Sequence, residues 1–235
     1  MTAGGVERID GRTERWREHR ERRREQFIDA AFEALREHGP DVNLEQIAAA
    51  AGTTKPKLYR HFDTKSDLVE AIAERALAKV VSNLASGLDP QASLREALSH
   101  GLDGYLQFVE EHPQVVRFLM ENSDRASQGM LLSRARAIAK LFIAIASADL
   151  EDDHVPTDEI GPLAHALVGA LAGATDWWVL QGPESHRSRP RLVAQLTIVL
   201  SSAAEAQLSE WGVAFDLDRP GTLLTLAIPI SAPAE

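Results

Sequence analysis

A short run of the sequence concentrates side chains suited to nucleic acid, namely Lys55, Lys57, Tyr59, Arg60 and His61. Cationic groups pair with phosphate oxygens, and aromatic or hydrogen-bonding groups can contact base edges in a groove of DNA. The apolar residues Leu58 and Phe62 are the ones this run can bury. The pattern predicts a helix from Lys55 to Phe62 that presents its polar face to DNA and is held in place by its neighbours.

The preceding residues predict a first short helix. Apolar side chains recur at i, i+3, i+4 and i+7, which places them on one helical face: Leu44, Ile47, Ala48 and Ala51. Asn43 is suited to cap this helix, with Gln46 completing a capping box, and Val42 and Ile47 are spaced as a hydrophobic staple. Gly52 can adopt the left-handed conformation that ends a helix.

The second helix of the pair also has a recognisable start. Thr54 is placed to cap it, and Pro56 is tolerated in its first turn, where an amide N–H has no intrahelical partner. A further cap, Thr64-Lys65-Ser66-Asp67, predicts a third helix. These signals predict a helix-turn-helix. The predicted DNA contacts are therefore Asn43, Thr53, Thr54, Lys55, Lys57, Tyr59, Arg60, His61 and Lys65, together with Arg17 and Arg20 of the preceding arginine-rich segment.

Residues 44–69 resemble the DNA-binding motif of the tetracycline-repressor (TetR) family, with IA-x-x-AG, a turn, a short helix ending in LY-x-HF, and a cap containing lysine. The family's motif positions are occupied by Gly52, Tyr59, His61, Phe62 and Lys65. The chain departs from the family's usual residues at Thr53-Thr54 and at Lys55-Pro56-Lys57. These departures bear on which DNA bases would be read and not on the predicted fold. The resemblance covers about the first third of the chain. It implies a regulator that binds double-stranded DNA as a homodimer.

Charge is distributed unevenly along the 235 residues. The chain carries a net charge of −10, yet residues 1–65 hold 13 Lys+Arg against 12 Asp+Glu, and residues 66–235 hold 12 against 23. A local basic face can still attract phosphate beneath an acidic body, because charges are screened over about 8 Å at physiological salt. The chain has no cysteine, no run of eighteen apolar residues and a charged N-terminus. We expect a cytoplasmic protein without a membrane partner.

The chain is predicted to be all-α, with about nine helices in two domains. Residues 1–16 are expected to be a disordered basic arm, 17–65 the helix-turn-helix domain and 66–211 the ligand-binding and dimerisation domain. The arginines of residues 15–24 form either a solvated face interleaved with glutamates or an arm that touches DNA. Helical patterns continue to residue 211, at about 66–87, 94–111, 113–119, 127–150, 157–181 and 190–211. Residues 212–235 alternate apolar and polar side chains around a turn at 219–221 and predict a C-terminal β-hairpin.

The last two helices carry small and apolar residues that let another helix approach closely. Ordinary packing within the chain accounts for such a composition. The family resemblance implies instead that these helices pair with their copies in a second subunit. The residues predicted for dimerisation are Leu163, Leu167, Ala170, Ala174, Leu196, Leu200 and Ala203.

Large side chains on the body helices could line a cavity for an apolar or amphipathic small-molecule effector. Most such residues are core residues in soluble proteins. The set predicted to bind ligand is Tyr105, Phe108, Phe118, Met120, Phe142, Asp176, Trp177 and Trp178. Asp176 beside the two tryptophans would favour a cationic, lipophilic ligand.

Other chemistry finds little support in the sequence. The acidic segment 149–154, which ends in His154, is the best metal candidate, but such loops are more often solvated connections, and no metal or cofactor is predicted. Nucleophile elbows, phosphate-binding glycine loops and paired-histidine zinc motifs are absent, so no enzymatic activity is predicted. We predict a repressor released from a palindromic operator by a small molecule. The alternatives are a regulator controlled by a partner protein, and a helical enzyme or carrier with a vestigial DNA-binding head.

Overall fold

The computed structural model describes residues 11–85, 89, 91–122, 157–180, 188–212 and 216–220, with backbone alone for 11–18, 84–85 and 157–160. Within these ranges the regular structure is helical. The eight helices are α1 (Gly11–His38), α2 (Leu44–Ala50), α3 (Lys55–Leu58), α4 (Lys65–Ala85), α5 (Leu94–Glu111), α6 (Pro113–Glu121), α7 (Thr157–Leu180) and α8 (Arg189–Glu210). The all-α prediction is confirmed. The helix predicted at 127–150 lies outside the described residues.

The chain divides into two compact units, residues 1–76 with 114–122 and residues 77–113 with 123–235. The first unit contains α1, α2, α3, the start of α4 and most of α6. Its core is built from side chains with at most 1% exposure, among them Phe27, Leu35, Ile47, Leu58, Phe62, Leu68 and Ile72. This core includes Ile47 and Ala48 of the apolar stripe predicted for α2, together with Leu58 and Phe62.

Local signals in the first unit behave as the sequence predicts. Asn43 caps α2: its side-chain oxygen accepts from the Gln46 N–H at 2.9 Å, and the Gln46 side chain accepts from the Asn43 N–H at 2.9 Å. Gly39 and Gly52 follow α1 and α2 with φ of +83° and +63°, a conformation that costs other residues about 1 kcal/mol or more. These two glycines allow the chain to turn sharply after each helix.

The second unit is organised around the packing of α5 on α8, with α7 against both. Its core joins Leu102 and Leu106 of α5 to the buried face of α8, which consists of Leu192, Val193, Leu196 and Leu200. Ile198 of α8 is exposed on the side opposite this core, and Val199 is exposed at its edge. By length and composition alone, α7 from Gly161 to Leu180 and the whole of α8 could cross a membrane, but helices of soluble cores pass the same test.

Two expectations about the chain ends are corrected where the structure describes them. Residues 11–16 belong to α1 and are helical, whereas the sequence predicted a disordered arm as far as residue 16. Residues 216–220, predicted as part of a β-hairpin, contain a turn at 217–218 and no strand. Leu217 is buried there, and its backbone carbonyl accepts from the Arg95 N–H of α5 at 3.1 Å, a contact that alternation along the sequence does not indicate. The rest of the predicted hairpin lies outside the described residues.

Candidate nucleic-acid interface

The recognition segment, residues 54–62, is anchored by two apolar side chains. Its α-helix ends at Leu58, and hydrogen-bonded turns continue the segment to Phe62. The His61 N–H donates to the Leu58 carbonyl at 2.9 Å, and the Phe62 N–H donates to the same carbonyl at 3.2 Å. Leu58 and Phe62 are fully buried, as the sequence predicts. Thr54 occupies the capping position, but its side chain makes no capping hydrogen bond, so only the position of this cap was predicted correctly. The segment therefore depends on its anchors.

The outward face of the recognition segment carries Lys57, Tyr59 and Arg60, all exposed. Tyr59 is 39% exposed although it is a large aromatic residue. Its ring could stack on a base, and its hydroxyl could donate to a base edge. Lys55 is half-buried and lies 2.7 Å from Glu45 of α2. Solvent screens a pair of this kind, so DNA phosphate could replace the glutamate at little cost.

His61 is the predicted DNA contact that the structure places differently. Its ring lies 5.2 Å from the Phe27 ring of α1, and its Nδ1 is buried without a partner among the described residues. Burial, followed by the nearby Arg20, Arg23 and Arg24, lowers the pKa of His61. A neutral, half-buried imidazole packs against its neighbours and carries no positive charge, so His61 is not part of the outward cationic face.

The remaining residues predicted to contact DNA differ in how far their side chains are exposed. Asn43 is exposed, but its side chain is engaged in capping α2. Thr53 is half-buried, and its hydroxyl oxygen is enclosed without a partner among the residues described. Lys65 and Arg20 are exposed, at the start of α4 and on α1 respectively. The side chain of Arg17 lies outside the described residues.

Arg24 belongs to the site although the sequence analysis did not select it. Its guanidinium donates to the His61 backbone carbonyl at 2.8 Å and to Asp67 at 3.0 Å, and it lies 4.4 Å from the centre of the Phe62 ring. The signal was in the spacing: Arg24 precedes Phe27, Ile28 and Ala31 by three, four and seven residues, which puts it on the buried face of α1.

The residues predicted to bind a ligand do not form one cluster. Tyr105 and Trp178 pack against the core of the second unit, where Phe108 is also buried, whereas Asp176 and Trp177 are exposed on α7. Successive helical residues turn by about 100°, so 176–178 cannot all face one cavity. Asp176 and Trp177 therefore do not face the core with Trp178, and their contact with a ligand stays a prediction. Phe118 and Met120 fall in the first unit, and Phe142 lies outside the described residues.

The residues predicted for dimerisation also separate into two groups. Leu196 and Leu200 are 7% exposed within the core, and Leu167 and Ala174 pack against that core. Leu196 and Leu200 are therefore corrected to packing within the chain, whereas the dimer contact predicted for the partly buried Leu167 and Ala174 stays a prediction. Leu163 is half-buried, whereas Ala170 and Ala203 are exposed. The large apolar side chains exposed on α7 and α8 are Trp177, Leu180, Ile198 and Val199, which are not among the seven residues predicted for dimerisation.

Taken together, the anchored recognition segment and the preceding capped α2 define a helix-turn-helix DNA-binding protein. Residues 27–72 match the family described as bacterial regulatory proteins, tetR family, and residues 83–212 match the tetracyclin repressor-like C-terminal domain. The chain belongs to the TetR family of transcriptional regulators. The resemblance inferred from the motif is thereby confirmed, and it extends well beyond the motif itself.

Known proteins with related sequences or folds are regulators as well. The chain is 28% identical over 197 residues to an uncharacterised HTH-type transcriptional regulator of Mycobacterium tuberculosis, covering 83% of each chain. It is 32% identical over 104 residues to the transcriptional activator FasR of Mycolicibacterium smegmatis, covering 44% of this chain and 48% of that one. A TetR-family regulator from Streptomyces coelicolor shares the fold, with a TM-score of 0.61 at 22% identity over 88% of this chain and 89% of that one.

Proposed function

We propose that this regulator represses transcription by binding a palindromic operator as a homodimer, and that a small molecule releases it. Operator recognition is supported most directly by the recognition segment having some side chains buried and others exposed. Leu58 and Phe62 are buried, and Lys57, Tyr59 and Arg60 are left exposed on the segment that these two residues anchor. Side chains held on a fixed backbone can read base edges, whereas a mobile basic segment gives only non-specific phosphate attraction.

Dimerisation is supported by the surface that one chain leaves uncovered. Ile198 and Val199 are 62% and 55% exposed on α8, and Leu180 and Trp177 are exposed on α7. Apolar side chains adjacent on helix surfaces are stabilised when a second helix pair covers them. One short recognition segment buries too little surface for specific binding, whereas two related by a two-fold axis would reach major grooves about 34–36 Å apart.

The effector site is proposed for the second unit, with an apolar or amphipathic small molecule as ligand. Tyr105, Phe108 and Trp178 supply aromatic surface there. Ligand and operator would bind different conformations, so each would weaken the binding of the other by the same factor. Because the Mycolicibacterium relative is an activator, the sign of regulation must be tested separately, by in vitro transcription from the operator with and without the protein.

The test of operator recognition begins with selection of bound fragments from genomic DNA. Lys57→Ala and Tyr59→Ala should each weaken binding to the selected operator by about tenfold while leaving the fold intact, because the two side chains are exposed. Lys79→Ala is the matched control, since it removes one exposed positive charge from the second unit. Equal affinity of the wild type for operator and unrelated DNA would contradict the proposal.

Effector control is tested by native mass spectrometry and by operator release across a ligand library. A co-purified small molecule whose addition lowers operator affinity would support induction. Operator affinity that no small molecule changes, but that a partner protein does change, would support the alternative of control by a protein.

A further inference from the structure

We propose that Arg24 is a positioning residue, which holds the recognition segment against the start of α4 and so sets operator affinity without contacting DNA. This inference rests on the proposed operator binding and concerns how its geometry is maintained. Arg24 lies on α1, outside the recognition segment, and its side chain is only 33% exposed.

The first support is the set of groups that one guanidinium joins. One terminal nitrogen donates to the His61 carbonyl near the end of the recognition segment, and the other donates to the Asp67 carboxylate in the first turn of α4. The same guanidinium covers the Phe62 ring at 4.4 Å. Because the donors of arginine form a rigid planar fork, these bonds fix the distance between the two backbone elements.

Asp67 extends the connection through the turn. Its second carboxylate oxygen accepts from the Asp63 N–H at 3.0 Å, and its own N–H donates to the Thr64 hydroxyl at 3.1 Å. The path from Arg24 through Asp67 to Asp63 therefore spans every residue between Phe62 and α4. The hydrogen bond from Arg24 is the main cause that lowers the pKa of Asp67, so this carboxylate is charged at neutral pH.

A second arginine reinforces the same pair of helices from the opposite direction. Arg75 of α4 contacts Glu25 and Asp29 of α1, the latter at 2.5 Å. Arg24 thus reaches from α1 to α4 and Arg75 reaches back, and their contacts on α4 lie about two helical turns apart, at Asp67 and Arg75. Arg24 is the member of this arrangement that also holds the recognition segment.

The alternative role for Arg24 is a phosphate contact, as for an ordinary arginine near DNA. Both terminal nitrogens already donate to acceptors within the unit, and recruiting them to phosphate would leave the His61 carbonyl and the Asp67 carboxylate without this donor. Arg60 offers the contrast, because it is exposed on the recognition segment itself. The two arginines should therefore respond differently to the same substitution.

Operator binding measured across a salt series distinguishes the two roles. Arg24→Gln should lower operator affinity about tenfold with no change in the slope of log affinity against log salt, whereas Arg60→Gln should reduce that slope by about one. Arg24→Lys should lose nearly as much affinity as Arg24→Gln, since lysine keeps the charge but lacks the fork.

Asp67→Asn provides the sharpest comparison. If only charge near DNA matters, removing a negative group should tighten binding. If Asp67 acts through Arg24, Asp67→Asn should weaken operator binding while binding to unrelated DNA is preserved. Amide exchange at Asp63, measured without DNA, should accelerate in both Arg24→Lys and Asp67→Asn.

A salt slope reduced by about one in Arg24→Gln, or tighter operator binding by Asp67→Asn, would overturn the positioning role. Unchanged affinity and unchanged Asp63 exchange in Arg24→Lys would overturn it as well. Thermal unfolding by circular dichroism, with retained binding to unrelated DNA, identifies variants that remain folded. Failure of the proposed function would appear differently, as a wild-type protein that does not distinguish its operator from unrelated DNA.

Discussion

The phenolic oxygen of Tyr105 on α5 lies 3.0 Å from the hydroxyl oxygen of Thr175 on α7, inside the second unit. The Thr175 hydroxyl donates to the Leu171 carbonyl at 2.8 Å, which uses its single hydrogen. Tyr105 must therefore be the donor in the bond between the two helices. Thr175 is completely buried, so this polar link is enclosed by apolar packing.

Because Tyr105 donates and Thr175 accepts, substitutions of the two residues should have unequal effects on the free energy of unfolding. Thr175→Val should lower the free energy of unfolding by about 1–3 kcal/mol, because it leaves the Tyr105 hydroxyl buried without its acceptor. Tyr105→Phe should cost less, about 1 kcal/mol, because Thr175 keeps its bond to Leu171. Urea unfolding of both single variants and the double variant measures the difference. Equal losses, or a larger loss for Tyr105→Phe, would contradict the assignment of the donor.

Tyr105 should also titrate abnormally. Burial raises the pKa of its phenol above the ordinary value of about 10. The chain has two tyrosines, so a Tyr59→Phe variant leaves Tyr105 as the single phenol for an ultraviolet titration. Its contribution to stability should be complete below pH 10 and should be lost as the pH rises through the raised value. A midpoint at or below 10 in the folded protein would be inconsistent with this.

The turn at 216–220 should contribute to stability through Leu217. Leu217 is 5% exposed, whereas Asp218, which lies 2.7 Å from Arg95, has a side chain that is 64% exposed. Leu217→Ala should lower the free energy of unfolding by about 2 kcal/mol, and Asp218→Asn by less than about 1 kcal/mol. Chemical denaturation of the two variants tests this order. A larger loss from Asp218→Asn would show that the ion pair, rather than the apolar contact, holds the turn.

His61 should make the first unit sensitive to mild acid. Since burial lowers its folded-state pKa, the unfolded chain takes up a proton near the ordinary value of about 6.5 while the folded chain does not. Stability should therefore fall as the pH drops through that value, and His61→Gln should reduce the fall. His38→Gln, at an exposed site, is the control and should follow the wild type. Denaturation midpoints between pH 5 and 7.5 provide the measurement.

The exposed face of α8 should decide the oligomeric state. Ile198→Asp or Val199→Asp should convert the protein to monomers, since each places a charge on the apolar surface proposed to be covered by a second chain. Gln91→Asp, an exposed change elsewhere in the second unit, should leave the mass unchanged. Light scattering after gel filtration measures the result. Dimers that persist in both variants would assign the interface to another surface.

Local sequence signals were sufficient to predict most of the fold. Helix ends followed from capping residues and glycines, as at Asn43 and Gly52, because these act over three or four residues and need no knowledge of tertiary contacts. The same local reasoning placed Leu58 and Phe62 in the core.

The sequence was less informative about which face of a helix turns inward. Leu196 and Leu200 were assigned to a dimer interface, yet they pack on α5, because apolar composition on two sides of α8 does not indicate which side the chain itself covers. His61 was expected to face DNA as one of the outward side chains of its helix, whereas its contact with Phe27 depends on a residue more than thirty positions away. Arg24 was missed for the same reason, since Asp67 is 43 residues away.

The way the recognition segment is attached has a consequence for protein engineering. Its attachment uses Leu58, Phe62 and a backbone carbonyl, while Lys57, Tyr59 and Arg60 take no part in it. These three positions can therefore be randomised in a library with little loss of folded clones. Selection from such a library should yield regulators for new operators that respond to the same effector, which is the property needed for independent channels in a synthetic gene circuit.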